Sequence, residues 1–279
     1  MWVGQQLADG LDFWGFLGSL ILGGIILGIY TGLLGYVGAK TGLSLDLLSQ
    51  RAFGEKGSYL PSAMTSFTQI GWFGVGSFVS GGTATPNFAR FAKNGKAGAI
   101  TTVVAFFIGN SLMFFFGAVS SIFVGGNDIF EVMVRLNLFY LAVLVLGLNI
   151  WTTNDNALYT AGLGLANIFH QRKKPMVLLS GIIGTVASVW LYYNFCGWLN
   201  ILNCTLPPVG TILVLAYFMN KEDFETDQPK LKTVDWFAVA GVILGAIVAN
   251  ILHWGIASIN GMVVAAVCYC VGQAVNKRK

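Results

Sequence analysis

Apolar stretches separated by short polar segments dominate this chain. A helix needs about 20 mostly apolar residues to cross a membrane. Seven such stretches predict spanning helices at residues 13–39, 97–124, 138–169, 176–193, 201–219, 236–252 and 258–275. In the fifth stretch, Pro207 and Pro208 predict that a helix starts or breaks there, because proline lacks a backbone N–H and clashes with the preceding turn.

The segment 60–91 is also apolar, but helix-breaking residues interrupt it. They are Gly71, Gly74, Gly76, Gly81, Gly82 and Pro86. We expect a re-entrant hairpin that enters and leaves by one face, with its turn near residues 76–80. Backbone that turns at membrane depth is tolerated only where protein or a water-filled cavity lines it. The turn is therefore predicted to lie beside a site.

A run of eight residues, NIWTTNDN at 149–156, interrupts the third apolar stretch, and we call it the polar octet. Six of its side chains are polar and one of these is an acid. A carboxylate near the bilayer midplane costs roughly 2.5–3.5 kcal/mol on insertion scales. Hydrogen bonding between helices is an alternative role, but one or two polar side chains suffice for it. The octet predicts a binding site near the midplane.

Composition agrees with this pattern. Only 10% of the 279 residues are charged, whereas soluble domains average about 25%. We predict an all-α integral membrane protein with one transmembrane domain over residues 1–279. The four cysteines form no CxxC pair, and neither histidine has zinc-ligand spacing, so the cysteines are interpreted as ordinary apolar residues. The cations belong to loops and require no nucleic-acid partner.

Those cations are distributed unevenly. If segment 60–91 leaves by the face it enters, 15 of the 16 lysines and arginines share one side, and Arg135 lies on the other. A single crossing of this segment would destroy the asymmetry. Positive-inside bias assigns the shared side to the cytoplasm. The N-terminus is then predicted outside and the C-terminus in the cytoplasm.

Two sets of residues could bind small ligands or ions. On an ideal helix Asn149, Thr152, Thr153 and Asn156 fall within about 100° of one face. Their hydroxyl and carbonyl oxygens suit a hard cation, with Na⁺ as a candidate. Asp155 points elsewhere, and three roles stay open for it: pairing with a polar neighbour, accepting a proton, or serving as a structural acceptor. Enzyme chemistry at Asp155 would need a second acid or base, and the sequence places none at membrane depth.

The second set lies in the segment 60–91. Gln69 and Trp72 share a helix face, and an amide, aromatic rings and hydroxyls together suit a small planar heterocycle. Ordinary packing is the alternative for the aromatic residues. The set comprises Gln69, Trp72, Phe73, Ser77, Phe78 and Ser80.

These motifs resemble bacterial members of the nucleobase:cation symporter-1 family. The resemblance covers nearly the whole chain. The matching runs are LGIYT (27–31), LGY (34–36), GAKTGL (38–43), GWFGVG (71–76) with Gln69, SF (77–78) with Ser80, and VLGLNIWTTNDNALY (145–159).

The resemblance implies a twelve-helix fold with two inverted five-helix repeats, and cytosine and sodium bound at the midplane. Trp72 and Phe78 would sandwich cytosine, and Gln69, Ser77 and Ser80 would bond its edges, with Asn154 nearby. Thr152 and Thr153, with the carbonyl of Asn149, would supply one part of the sodium site.

Two departures predict an abridged form of that fold, with about seven spans plus the hairpin. The chain begins after the family's first helix, and several family helices are missing between Gly76 and Ser77. The resemblance implies a sodium-coupled cytosine symporter, working by alternating access as a monomer in a bacterial inner membrane. The alternative is a non-transporting remnant or a membrane partner subunit that at most binds the nucleobase.

Overall fold

The computed structural model describes residues 11–75, 81–125, 129–229, 231–252 and 254–276, and every regular element in these ranges is a helix. In chain order the helices are α1 (Phe13–Thr41), α2 (Leu45–Phe53), α3 (Tyr59–Val75), α4 (Gly81–Ala84), α5 (Pro86–Ala89), α6 (Gly95–Val103), α7 (Asn110–Val124), α8 (Ile129–Arg135), α9 (Phe139–Phe169), α10 (Lys173–Tyr193), α11 (Phe195–Met219), α12 (Lys221–Glu225), α13 (Trp236–Ile251) and α14 (Ala257–Asn276). A π-helical segment, Val104–Gly109, joins α6 to α7.

The helices occupy the seven predicted membrane positions. Five described segments are long and apolar enough to span a membrane: Phe13–Thr41, Gly95–Val124, Lys173–Leu191, Gly197–Met219 and Ala257–Asn276. The apolar helix α13 is shorter, and α9 has 31 residues but contains the polar octet. The prediction of an all-α membrane protein is confirmed.

The expectation that Pro207 and Pro208 start or break a helix is wrong, because α11 runs through both. Pro207 cannot donate to the carbonyl of Asn203, four residues earlier. That carbonyl instead accepts the hydroxyl of Ser258 on α14 at 3.2 Å. A neighbouring helix therefore satisfies the backbone group that the proline leaves free, as membrane helices require.

Both ends of the predicted re-entrant segment lie at the same end of the molecule, while its turn at residues 76–80 lies outside the described residues. At the start of α3, the hydroxyl of Tyr59 lies 2.7 Å from Nε2 of His170, just beyond α9. The second limb leads to α6. Gly95, the first residue of α6, packs against Lys40 near the end of α1, since a Cβ added to Gly95 would lie 3.3 Å from the Cβ of Lys40.

The cationic loops gather at this same end, which we call the basic end. Lys40 lies 3.9 Å from Glu225, and the Arg51 guanidinium donates to the carbonyl of Asp223 at 2.8 Å. The backbone of Lys232 accepts a hydrogen bond from the N–H of Glu55 at 2.7 Å. Arg135 lies at the other end, where it donates to the carbonyl at the end of α7.

Three helix groups pack side by side. The first group is α1 with α4, α5, α6 and α7; the second is α3, α9 and α10; the third is α11, α13 and α14. In the first group α1 and α6 cross at glycines: a Cβ on Gly98 would lie 2.4 Å from the Cβ of Ala39 and 2.8 Å from the carbonyl oxygen of Gly35. Small residues permit such close approach of membrane helices. A buried apolar core joins the first and third groups with α2.

Candidate functional site

A cavity of about 900 Å³ lies between the first and second helix groups. One wall comes from the stretch α4 to α7 and the other from α9, with one residue from α3. Its lining residues are Gln69, Ala84, Thr85, Phe88, Ala89, Phe91, Ala92, Thr101, Thr102, Ala105, Phe106, Gly109, Asn110, Met113, Asn149, Thr152, Thr153, Asn156, Ala157 and Thr160.

The α9 wall carries the predicted polar face. Asn149, Thr152, Thr153 and Asn156 all line the cavity, and Gln69 of α3 joins them. They share a wall because 3.6 residues complete each helical turn. The predicted common face is therefore present, and the ligands assigned to it stay predictions.

The oxygen atoms of this wall are close together. The hydroxyl of Thr152 donates to the carbonyls of Leu148 and Asn149, at 3.1 Å each. The hydroxyl of Thr153 lies 3.5 Å from the side-chain oxygen of Asn149. Because the proton of Thr152 points into its own helix, the oxygen lone pairs stay available to a cation. The hydroxyl and carbonyl oxygens fit a hard cation such as Na⁺.

Asp155 lies beside this wall and does not line the cavity. Its side chain is exposed, and one carboxylate oxygen accepts the indole N–H of Trp151 at 3.1 Å. This contact agrees with pairing to a polar neighbour and with a structural acceptor, so the role of Asp155 stays a prediction.

The remaining predicted residues have different positions. The Asn154 side-chain oxygen is buried outside the cavity lining, and it has no hydrogen-bond partner within the described residues. Trp72 lies in α3. Ser77, Phe78 and Ser80 fall outside the described residues. Their roles towards cytosine stay predictions.

The opposite wall holds residues that sequence reasoning missed. Thr101, Thr102 and Asn110 add polar groups, and Phe88 and Phe106 add flat apolar surface. Asn110 carried a usable signal, because it is a lone amide inside the apolar stretch 97–124. The others carried none, because threonine and phenylalanine are common in any membrane helix.

At the basic end of the cavity, side chains of the two helix groups meet on Tyr159. The guanidinium of Arg90, just after α5, donates to the Tyr159 hydroxyl on α9. The ring centroids of Phe88 and Tyr159 are 6.2 Å apart. Lys173, at the start of α10, holds its ammonium nitrogen 3.4 Å from the Tyr159 ring centroid.

A buried polar cluster lies next to this contact. Asp46 on α2 accepts the hydroxyl of Ser62 on α3 at 2.6 Å. Asn167 on α9 donates to Ser62 at 2.9 Å and accepts from Gln50 on α2 at 2.6 Å. Burial raises the pKa of Asp46 to about 6, although the hydrogen bond from Ser62 and the charge of Arg90 oppose the rise.

Helices of membrane-spanning length, with a polar-walled cavity between two groups of them, are typical of a membrane transporter. The comparisons with known proteins agree. The chain belongs to the family described as "Permease for cytosine/purines, uracil, thiamine, allantoin", whose model matches residues 1–84 and 75–275.

Similar proteins include the cytosine permeases of Escherichia coli K12 and O157:H7. Each is 36% identical to this chain over 372 aligned positions, which cover 100% of this chain and 88% of the relative. An allantoin permease of Bacillus subtilis strain 168 is 34% identical over 82 residues, covering 29% of this chain and 16% of the relative.

The alignment with the cytosine permeases contains a large internal difference. It has 372 positions against the 279 residues of this chain, so 93 positions of the relative have no counterpart here. The two family matches overlap at residues 75–84, which is where the sequence predicted the missing helices.

Proposed function

We propose that this chain is a sodium-coupled nucleobase symporter and that cytosine is its substrate. The observation that carries this proposal is the cavity of about 900 Å³ whose α9 wall holds Asn149, Thr152, Thr153 and Asn156. Ligand cavities commonly measure about 300–1,000 Å³ and combine apolar surface with a few polar groups. The names of the similar permeases support cytosine.

The two walls suit a planar base in different ways. Phe88 and Phe106 provide ring surface for stacking, and Gln69 and Asn156 provide amides that both donate and accept at the edge of a base. In the proposed complex Trp72, Ser77, Phe78, Ser80 and Asn154 complete the recognition, as the family resemblance implies.

Sodium is the proposed coupling ion and travels with the substrate. It binds to the hydroxyls of Thr152 and Thr153 and the carbonyl of Asn149. The 3.1 Å between the Thr152 hydroxyl and the Asn149 carbonyl supports a shared ion, because both oxygens can reach one cation. Sodium favours the substrate-competent state if it binds that state more tightly than the others.

The proposed setting is a bacterial inner membrane, with the basic end and the C-terminus in the cytoplasm and the N-terminus outside. The positive-inside rule supports this orientation. The site then lies near the bilayer midplane, where transporters of inverted-repeat construction hold substrate and ion. The proposed active form is a monomer.

Uptake of radiolabelled cytosine into proteoliposomes tests the proposal. We expect uptake that depends on an inward sodium gradient and that stops when the gradient is dissipated. A potassium gradient of equal size is the control for osmotic and electrical effects. Cytosine uptake that does not depend on the sodium gradient would contradict sodium coupling. Absence of any uptake would contradict the transport function.

The 93 positions without a counterpart favour a second candidate, a membrane protein that binds the nucleobase and does not transport it. Equilibrium binding of labelled cytosine to the purified protein separates the two candidates. Binding without gradient-dependent uptake identifies the second candidate, which would act as a remnant or a partner subunit.

A further inference from the structure

The contact around Tyr159 joins the two helix groups that form the walls of the cavity. Tyr159 belongs to α9, whereas Phe88 belongs to α5 and Arg90 follows directly after it. The α5 side packs against α1, because a Cβ on Gly38 would lie 2.7 Å from the Cα of Pro86. A movement of one group against the other therefore strains the Arg90–Tyr159 hydrogen bond.

The same contact lies at the boundary of the cavity. Phe88 and Ala89 line the cavity on one side, and Ala157 and Thr160 line it on the other. Arg90 and Tyr159 are their neighbours along the chain but are not part of the lining. Phe91 and Ala92, which follow Arg90, line the cavity as well, so the pair bridges the two walls where the cavity approaches the loops of the basic end.

The energetics of this contact allow it to open. A hydrogen bond to a charged group contributes about 1.5–3 kcal/mol, and the cation–π contact of Lys173 adds to it. Against this, Nε of Arg90 is buried and has no hydrogen-bond partner within the described residues. Opening would let water hydrate Nε of Arg90, which offsets part of the loss.

We propose that Arg90 and Tyr159 form a latch that closes the cavity at its basic end, and that breaking their hydrogen bond is a step in opening the cavity to that side. Tyr159 acts as a positioning residue and touches no substrate. The proposal rests on the proposed transport function, because only a transporter needs to open this end.

Cysteine labelling tests the latch without any uptake measurement. The reporter is Ala105→Cys, on the cavity wall, in a chain whose four cysteines are replaced by serine. A membrane-impermeant maleimide is applied separately to each side of oriented vesicles. Tyr159→Phe removes the hydroxyl and retains the ring that contacts Phe88 and Lys173.

We expect Tyr159→Phe to raise the labelling rate from the basic side by about tenfold, as loss of one charge-assisted hydrogen bond predicts. The rate from the opposite side should stay the same or fall. Arg90→Gln should give the same pattern. Tyr140→Phe, on the exposed outer end of the same helix, is the matched control and should leave both rates unchanged.

The alternatives give different patterns. General loosening of the fold raises both rates, and a purely packing role for Tyr159 leaves both unchanged in Tyr159→Phe. Either result overturns the latch. If the native chain fails to take up cytosine but the one-sided increase is present, the latch stands and the transport function does not.

Discussion

Thr152 satisfies two requirements with one hydroxyl. Its proton bonds carbonyls of its own helix, so the polar group costs little inside a membrane. Its oxygen faces the cavity and retains lone pairs for an ion. A threonine buried between helices would use its hydroxyl in the same way. The cavity beside it is what distinguishes a candidate ligand from a structural residue.

Thr152→Val keeps the shape of this side chain and removes the oxygen. We expect the sodium concentration for half-maximal cytosine uptake to rise about tenfold, equivalent to about 1.4 kcal/mol. Uptake measured against sodium concentration at saturating cytosine tests this. Thr185→Val is the control, because Thr185 also bonds its own helix, at 2.8 Å, but is exposed on α10. If the two variants showed the same dependence of uptake on sodium concentration, Thr152 would not be a sodium ligand.

Helices α1 and α6 approach each other closely at glycine residues. Each helix was predictable from its apolar run. Which glycines meet was not predictable, because the facing register depends on how two separate helices cross. The structure pairs Gly35 with Gly98, and the same helix α6 contributes Thr101 and Thr102 to the cavity wall.

Gly98→Val tests this crossing. The added side chain would overlap Ala39 and the backbone of Gly35, so we expect a loss of about 1–3 kcal/mol in stability. Thermal unfolding in detergent measures the loss as a lower melting temperature. Gly18→Val on α1 is the matched control, since a Cβ there meets nothing within 4 Å. A melting temperature equal to that of the control would contradict the crossing.

Across the whole molecule, α2 connects helix groups that the cavity separates. Asp46 and Gln50 of α2 hold α3 and α9 through Ser62 and Asn167, while its apolar face joins the core with α1 and α11. The raised pKa of Asp46 makes this connection dependent on pH. The folded state retains the proton more strongly than the unfolded state, so stability attributable to Asp46 is greatest at low pH and falls as pH rises from about 4 to about 6.

Asp46→Asn should flatten that dependence. We expect the native protein to melt at a higher temperature at pH 5 than at pH 7, and the variant to show a smaller difference. Glu222→Gln, an exposed carboxylate on α12, should keep the native difference. Melting curves of the three proteins at the two pH values test this. An unchanged difference in Asp46→Asn would assign the pH dependence to other groups.

The membrane class, the positions of the spans, the uneven distribution of cations and the polar face of α9 were all predictable from the amino-acid sequence. Each follows from local periodicity or composition, because a bilayer demands apolar length and penalises charge. Only the tertiary structure decided that α11 continues through its prolines, that Asn110 and Phe106 face the octet, and that Arg90 meets Tyr159. These depend on contacts between residues far apart in the chain, which no local pattern encodes.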